Sequence, residues 1–179
     1  MHSCMRLCLI LFELSIFSLL VAQSVSGSEP FPAASAACQQ ISLGSAETAI
    51  WPVAVTNPDY LDAKNHYYSD ANTDLTPACA VFPTNAEEVS HVVQVLLDYP
   101  TVPFAVKSGG HNTNVGFSSV DWGVLISFSK LASTTSSSDK STADVSPGAR
   151  WVQVMTALEP HNIAVVGDRL GEPCTPLSQ

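Results

Sequence analysis

The stretch KSGGHNTNVGF, residues 107–117, is the part of the sequence whose residue types and spacing best suit chemistry. Gly109 and Gly110 lie side by side after a short apolar run, and His111 follows them directly. Because glycine readily adopts a positive φ, two consecutive glycines let successive backbone N–H groups point into one concavity, which suits a phosphate or pyrophosphate. By residue types alone, the stretch fits both an anion-binding loop and an ordinary turn in which His111 has no special role.

The better-known phosphate loops are not present in the sequence. A Walker loop places its lysine after the last glycine, whereas Lys107 precedes both glycines here. The dinucleotide fingerprint G-x-G-x-x-G opens a helix, and Asn112, Asn114 and Gly116 disfavour a helix at this place. Metal-ligand spacings such as CxxC or HxxxH are absent, and so is the GxSxG elbow of hydrolases. We therefore expect no metal site, and the residues alone identify no catalytic group.

Composition and charge narrow the class of protein. The chain has 179 residues, of which 46% are hydrophobic and 13% charged, and this balance is typical of a globular domain. The formal net charge is −9, and the seven Lys and Arg residues are scattered. Since no basic patch is available, neither a nucleic acid nor an anionic membrane surface is expected as a partner.

The N-terminal region resembles a secretory signal peptide. Arg6 precedes the apolar run LCLILFELSIFSLLVA, residues 7–22, and small residues follow it. The run is shorter than the roughly 20 residues of a spanning helix, and Glu13 lies inside it. We therefore predict a signal peptide over residues 1–27 and a secreted protein, with no membrane association after cleavage; the alternative is an N-terminal membrane anchor.

Secretion affects how the five cysteines are interpreted. Cys4 and Cys8 would leave with the signal peptide, so that Cys38, Cys79 and Cys174 remain in the mature chain. An oxidising compartment favours pairing, and a bond between Cys38 and Cys79 would close a loop of about 40 residues. Cys174 is then the unpaired cysteine.

Hydrophobic periodicity and turn residues predict an α+β or α/β arrangement. A strand at 78–83, a helix at 84–99 and a strand at 102–108 form one crossover unit, with a further strand at 123–128. Thr84 and Glu87 have the spacing of a capping box. The apolar stripe of this helix is predicted to consist of Val89, Val92, Val93, Leu96 and Leu97.

The flanking segments are predicted in less detail. A short helix at 33–44 precedes an irregular or weakly helical connector at 51–73, which contains three tyrosines suited to packing on a core: Tyr60, Tyr67 and Tyr68. The serine-rich tract 133–142 is expected to be an exposed turn. It is followed by a strand at 143–148, a helix at 149–162 with Trp151, Met155 and Leu158 along one side, and a strand beginning at 163–167.

The order of these segments resembles a known family. PACAVFPTNAEEVSHVVQVL, then VPFAVKSGGHNTNVGFSSVDWGVLISFSKL, then STADVSPGARWVQVMTALEPHNIAVVG is similar to secreted fungal FAD-linked oxidoreductases of the vanillyl-alcohol oxidase and berberine-bridge-enzyme-like type. The resemblance covers about residues 38–172, and its most specific element is the Gly-Gly-His turn after the helix. It implies an α+β fold, a PCMH-type FAD-binding domain over residues 74–179, preceded by an N-terminal helix and connector at 28–73.

The resemblance also implies roles for individual residues. In the family a histidine is joined to the 8α-methyl group of FAD, and His111 occupies that position. Backbone N–H groups of Ser108, Gly109 and Gly110 would face the pyrophosphate. The remaining predicted cofactor-binding residues are Lys107, where many relatives have arginine, together with Asn112, Gly116 and Ser118. The pairing of Cys38 with Cys79 matches a disulfide of related secreted proteins.

The C-terminal stretch departs from the family pattern. Asp168 stands where glycine is usual, and Cys174 does not match the cysteine that some relatives attach to FAD. We expect the rest of the second subdomain, the substrate domain and the catalytic base to be missing. The resemblance implies an oxidoreductase whose flavin accepts hydride from an alcohol- or amine-type carbon and is reoxidised by oxygen, acting on a small-molecule substrate. The alternative is an inactive secreted fragment with weak or no flavin binding.

Overall fold

A computed structural model describes residues 31–167, which contain four α-helices and six strands. Short 3-10 turns follow several of these elements. In chain order the elements are α1 (Pro32–Ile41), β1 (Glu47–Ile50), α2 (Pro58–Asn65), β2 (Cys79–Phe82), α3 (Ala86–Asp98), β3 (Phe104–Lys107), β4 (Val124–Ser127), β5 (Thr134–Ser136), β6 (Ala143–Val145) and α4 (Trp151–Leu158). The α+β class predicted from the sequence is confirmed.

The main sheet has four strands in the order β1-β2-β4-β3. β2, β4 and β3 are parallel, whereas β1 pairs with β2 in the antiparallel sense. Helix α3 makes the predicted crossover from β2 to β3, and β4 then lies between these two strands. The sequence analysis did not predict β1, because its four residues Glu-Thr-Ala-Ile carry too little alternation to distinguish a strand.

Side chains of the parallel strands form a core on each face of the sheet. Every residue of β2 and β4 is buried, as expected for strands covered on both sides. On one face Val81 and Ile126 pack against residues of α1 and α3. On the other face Phe82 and Leu125 pack around Tyr60 of α2. Burial raises the pKa of Tyr60 to about 12, and its hydroxyl donates a hydrogen bond of 2.8 Å to the Pro77 carbonyl.

The cap of helix α3 lies one residue later than predicted. Asn85, not Thr84, is the first cap residue, and its side-chain oxygen accepts a hydrogen bond of 2.9 Å from the N–H of Glu88. In return, a Glu88 carboxylate oxygen accepts from the N–H of Thr84 at 2.7 Å and from its hydroxyl at 3.1 Å. The prediction of Thr84 with Glu87 was wrong because asparagine caps as well as threonine does, and Asn85 is extended as a cap requires.

The buried face of α3 also differs from the predicted one. Val92 and Leu96 are buried as predicted, and Val89 packs partly against the same core. Val93 and Leu97, assigned to the stripe, are 45% and 74% exposed. Val95, which the sequence analysis left out, is buried in their place.

The C-terminal part of the described chain differs from the prediction in three respects. The serine-rich tract contains strand β5, which pairs with β6 in a small antiparallel sheet. Helix α4 buries Trp151, Val154 and Leu158, whereas Met155, predicted for the same side, is 64% exposed. No strand forms at 163–167, since an apolar run alone does not provide a pairing partner.

The predicted disulfide joins Cys38 of α1 to Cys79 of β2, over a sequence separation of 41. Both cysteines are fully buried in the core between α1 and the sheet. The bond therefore fixes the N-terminal helix to a central strand.

We expect the Cys38→Ser/Cys79→Ser double variant to lower the free energy of unfolding by about 4 kcal/mol, the loop-closure entropy of a loop of this length. Urea unfolding of the full chain, followed by circular dichroism, measures the difference. The wild-type chain in reductant serves as the control and should match the variant in its transition midpoint. A loss below about 1 kcal/mol would contradict the expectation.

The cap of α3 predicts a pH dependence of stability. The hydrogen bond from the backbone N–H of Thr84 holds the pKa of Glu88 below its usual value of 4.5. The stabilisation is therefore fully present above pH 4.5 and is lost as the pH falls through the lower pKa of the folded state.

The Glu88→Gln variant should be less stable than wild type at neutral pH, and the difference in unfolding free energy should shrink below pH 4.5. Urea unfolding at a series of pH values measures it. Glu87→Gln removes the neighbouring exposed carboxylate and is the matched control for the change in net charge. A difference that stays constant over the acid range would refute this role for Glu88.

Candidate functional site

The Gly-Gly-His loop lies at the carboxyl end of the parallel sheet. Lys107 ends β3, and the chain does not pair again until β4 begins at Val124. Ligands of sheets with parallel strands bind at this edge, beyond the carboxyl ends of the strands. The long connection from β3 to β4, residues 108–123, is therefore placed where a cofactor would be expected.

Gly110 is the residue that allows the chain to turn at this edge. Its φ is +71°, whereas Gly109 has no positive φ, so only one of the two adjacent glycines uses the left-handed region. A Cβ on Gly110 would lie 2.7 Å from the carbonyl oxygen of His66. Glycine is thus required at this position both for the backbone angle and for the close approach of another chain segment.

The loop presents backbone donors that have no acceptor. Gly109 and Gly110 are buried, and among residues 31–167 nothing accepts a hydrogen bond from the N–H groups of Gly109, Gly110 or His111. Buried backbone donors are rarely left without a partner in native proteins. These two buried donors, together with the adjacent N–H of the exposed His111, suit the oxygens of an anion such as a phosphate group.

Residues 66–72 hold the loop from its other side; we call this segment the strap. The N–H of Tyr68 donates a hydrogen bond of 3.0 Å to the Gly110 carbonyl. The hydroxyl of Tyr67 donates one of 2.8 Å to the Ser118 carbonyl, and burial raises the pKa of Tyr67, so the hydroxyl keeps its proton. The strap therefore contacts the loop near both of its ends.

A buried hydrogen-bond network centred on Asn72 completes the connection. Its side-chain oxygen accepts a hydrogen bond of 2.5 Å from the Ser119 hydroxyl, and its amide nitrogen donates one of 3.1 Å to the Asn112 carbonyl. The Ser119 hydroxyl oxygen also accepts from the N–H of Gly116 at 3.0 Å. Asn72 is 1% exposed, and its two hydrogen bonds fix two separate parts of the loop.

Lys107 is directed at helix α2. Its ammonium group donates hydrogen bonds to the carbonyls of Ala63, at 2.6 Å, and Asp62, at 3.4 Å, and it lies 3.9 Å from the centre of the Tyr67 ring. The last carbonyls of a helix and the face of an aromatic ring both attract a cation. The cofactor-binding role predicted for Lys107 stays a prediction, and these contacts give it a part in joining β3 to α2.

His111 lies at the surface, beside the buried glycines. Its ring stacks on that of Tyr68, with 5.6 Å between the ring centroids and 22° between the planes. Asn112 and Gly116 are also exposed, and the Asn112 side chain accepts a hydrogen bond from the N–H of Asn114 at 2.9 Å. The loop therefore combines a buried row of N–H donors with an accessible imidazole.

Two serines of the predicted set differ in their contacts. The Ser108 hydroxyl donates a short hydrogen bond to the Pro147 carbonyl, which links the loop to the segment before α4. The Ser118 hydroxyl is buried and has no hydrogen-bond partner among the described residues. An unpaired buried hydroxyl next to the loop is a further polar group that a ligand would satisfy.

The structure brings the predicted residues 107–118 together and adds residues that the sequence did not indicate. Tyr60 packs in the core as predicted, but Tyr67 and Tyr68 contact the loop. Asn72 and Ser119 were missed, since a single asparagine in a polar connector carries no sequence signal. Among residues 31–167 no cluster of metal-binding side chains and no helix able to cross a membrane is found.

Comparison with known proteins assigns a class to this fold and site. The profile of the family described as FAD binding domain matches residues 77–175, more than half of the chain, including the whole Gly-Gly-His loop. The fold is thus that of a PCMH-type FAD-binding domain. The chain belongs to this family of FAD binding domains, and its fold is the one seen in oxidases of the berberine-bridge-enzyme-like type that its sequence resembles.

Curated relatives and solved structures agree with this assignment. The FAD-dependent monooxygenase drtC of Aspergillus calidoustus is 43% identical over 114 residues, which are 62% of this chain and 22% of the relative. The chain therefore spans about a fifth of the length of such relatives. These comparisons show an FAD-binding domain like that of FAD-dependent oxidoreductases, and they do not favour the alternative of an inactive secreted fragment with weak or no flavin binding.

Two solved structures share the fold. A chitooligosaccharide oxidase has a TM-score of 0.60 at 23% identity, covering 74% of this chain and 27% of the oxidase. The glucooligosaccharide oxidase of Acremonium strictum, described as carrying 6-S-cysteinyl, 8α-N1-histidyl FAD, has a TM-score of 0.59 at 20% identity, covering 75% and 27% of the two chains.

The described residues fit a FAD cofactor. The unpaired N–H groups of Gly109 and Gly110 suit its pyrophosphate, whose oxygens accept hydrogen bonds and carry negative charge. The unpaired Ser118 hydroxyl supplies another donor, and a Cβ on Gly116 would meet no atom within 4 Å, so the space beside this glycine is open.

A positive φ costs a residue other than glycine about 1–3 kcal/mol. We expect Gly110→Ala to lower the free energy of unfolding by more than this amount, because the new Cβ also meets the His66 carbonyl. Gly116→Ala is the matched control: its φ is +86°, but its Cβ enters open space. Urea unfolding of both variants gives the comparison. Equal losses would show that the close approach to His66 contributes nothing.

Proposed function

We propose that this chain binds FAD through the Gly-Gly-His loop and that His111 carries the flavin covalently. The observation that supports the proposal is that two kinds of polar group, backbone N–H donors and an imidazole, lie within three consecutive residues. Within the described residues 31–167, the N–H groups of Gly109 and Gly110 are buried donors without an acceptor, and the next side chain is an exposed imidazole. The N–H donors suit the pyrophosphate of FAD, and the imidazole is accessible to the flavin part of the same molecule.

The covalent step requires an oxidant, which the flavin itself provides. In the proposed attachment, a ring nitrogen of His111 would be joined to the 8α-methyl carbon of the flavin, with loss of one methyl proton and the imidazole N–H proton. The isoalloxazine ring would supply the oxidising power by accepting the two electrons released, and dioxygen would serve as the final oxidant, giving hydrogen peroxide. The chain contributes the nucleophile and its position, and the cofactor contributes the redox chemistry.

The other residues of the loop receive supporting roles in this proposal. The hydroxyl of Ser118 and the backbone N–H of Ser108 are assigned to polar contacts with the cofactor, and Asn112 and Gly116 border its binding surface. Lys107 maintains the position of β3 through the carbonyls of Ala63 and Asp62, and would act on the cofactor only through the loop.

The reaction of the whole protein follows from the family. When bound, FAD would accept a hydride from an alcohol- or amine-type carbon of a small molecule and would be reoxidised by dioxygen. The matched relatives include FAD-dependent monooxygenases and an oligosaccharide oxidase. No residue of the described part is assigned as catalytic base, since none next to the loop has a geometry that singles it out.

Export from the cell is the second part of the proposal. The apolar run at residues 7–22 supports a signal peptide over residues 1–27. The disulfide between Cys38 and Cys79 also supports an oxidising compartment. A covalent tether is useful in such a compartment, because a cofactor that dissociates outside the cell would be diluted and lost.

Covalent attachment is tested by expressing the full chain with FAD and separating it on a denaturing gel. The wild-type band should fluoresce under acid conditions, and mass spectrometry should show the added mass of FAD on the peptide that contains His111. The His111→Ala variant should lose both signals completely, because it lacks the nucleophile.

His161→Ala is the matched control, since His161 is also exposed but belongs to the turn after α4. It should retain the fluorescence of wild type. A non-fluorescent wild-type band would reject covalent attachment in this chain, and fluorescence that persists in His111→Ala would place the linkage on another residue.

A further inference from the structure

We propose that Tyr68 is the positioning residue for flavin attachment: its ring holds the imidazole of His111 in the orientation in which a ring nitrogen is presented to the cofactor. The inference rests on the proposed function, because it concerns the step that joins FAD to His111. Neither residue types nor spacing indicated such a role, and it follows from the contacts of the strap.

The stacking geometry carries the proposal. The rings of Tyr68 and His111 lie with centroids 5.6 Å apart and planes 22° from parallel, which is within the range of offset-stacked pairs. Stacking uses a face of the imidazole, so both nitrogens, which lie on the ring edge, stay accessible. A hydrogen bond to either nitrogen would fix the ring equally well but would occupy an atom needed for attachment.

The exposure of Tyr68 indicates that its side chain does little for the fold. The residue is 73% exposed, whereas Tyr60 of the same connector is fully buried. Its link to Gly110 is made by the backbone N–H, which any residue other than proline would provide. A substitution of the ring therefore leaves the strap in place and removes mainly the contact with His111.

An exposed histidine without such a contact would sample several rotamers. If the imidazole is restricted to the rotamer that faces the cofactor, the reacting nitrogen is already close to its target. Such positioning usually accelerates a reaction. Among the described residues no hydrogen bond is formed by the Tyr68 hydroxyl, so phenylalanine should serve as well as tyrosine. The positioning role of Tyr68 therefore belongs to the face of its aromatic ring and not to its hydroxyl.

The test is the rate at which full-length apoprotein, produced under flavin limitation, becomes covalently labelled after FAD is added. Tyr68→Leu should slow labelling by about three- to tenfold, the range expected for losing one aromatic pair. Tyr68→Phe should restore the wild-type rate. Phe104→Leu is the matched control, because Phe104 is also exposed, at 55%, but begins β3 at the end away from the loop.

A second readout does not involve flavin. In the proton NMR spectrum of the apoprotein, the ring protons of His111, assigned by their loss in His111→Ala, should be shifted by the ring current of Tyr68. The shift should persist in Tyr68→Phe and disappear in Tyr68→Leu. Non-covalent binding of FAD is measured separately, by quenching of flavin fluorescence in the His111→Ala background. Addition of Tyr68→Leu to that background should not change this binding.

The two proposals fail in different ways. A wild-type chain that acquires no covalent flavin rejects the proposed function. A wild-type chain that is labelled at the same rate as Tyr68→Leu rejects only the role of Tyr68. Equal loss of rate in Tyr68→Phe and Tyr68→Leu would also overturn it, because the hydroxyl and not the aromatic face would then be responsible.

Discussion

The close approach between the backbone of Gly110 and the strap is the constraint on which the rest of the site depends. The Gly110 carbonyl accepts the Tyr68 N–H, while its missing side chain leaves room for the His66 carbonyl. Because the strap satisfies the carbonyl, the turn is held by protein through its C=O group, while the N–H groups of Gly109 and Gly110 have no acceptor among residues 31–167. Any larger residue at this position would separate the two segments, because its Cβ would meet the His66 carbonyl.

The elements around this contact serve to bring the strap and the loop to the same place. β3 ends at the carboxyl edge of the sheet, where the loop begins. α2 packs on the face of the sheet that holds Phe82 and Leu125, and the strap follows it in the chain. Lys107 joins the two elements by hydrogen bonds to the end of α2. The sheet therefore acts as the common frame, and its two buried central strands give that frame its rigidity.

Much of this arrangement could be predicted from the sequence, and the omissions have physical reasons. The crossover unit was predicted because α3 has a strong helical periodicity and its flanking strands are apolar. The cap was misplaced by one residue, since Thr84 and Asn85 are both good caps and residue type alone does not decide between them. The Gly-Gly-His loop was found from residue types together with the family resemblance. The strap was missed, because Tyr68 and Asn72 act on residues 40 or more positions away, and no local pattern reports such contacts.

The hydrogen bonds of the loop have a consequence for the timing of cofactor capture. Tyr67 reaches Ser118 across 51 positions, and Ser108 reaches Pro147 across 39. Contacts this distant in sequence close large loops and form late, after the chain has collapsed. During synthesis on the ribosome, the contact between Ser108 and Pro147 therefore cannot form until the segment before α4 has emerged. If attachment of a flavin requires this contact, the modified histidine would serve as a record of completed folding.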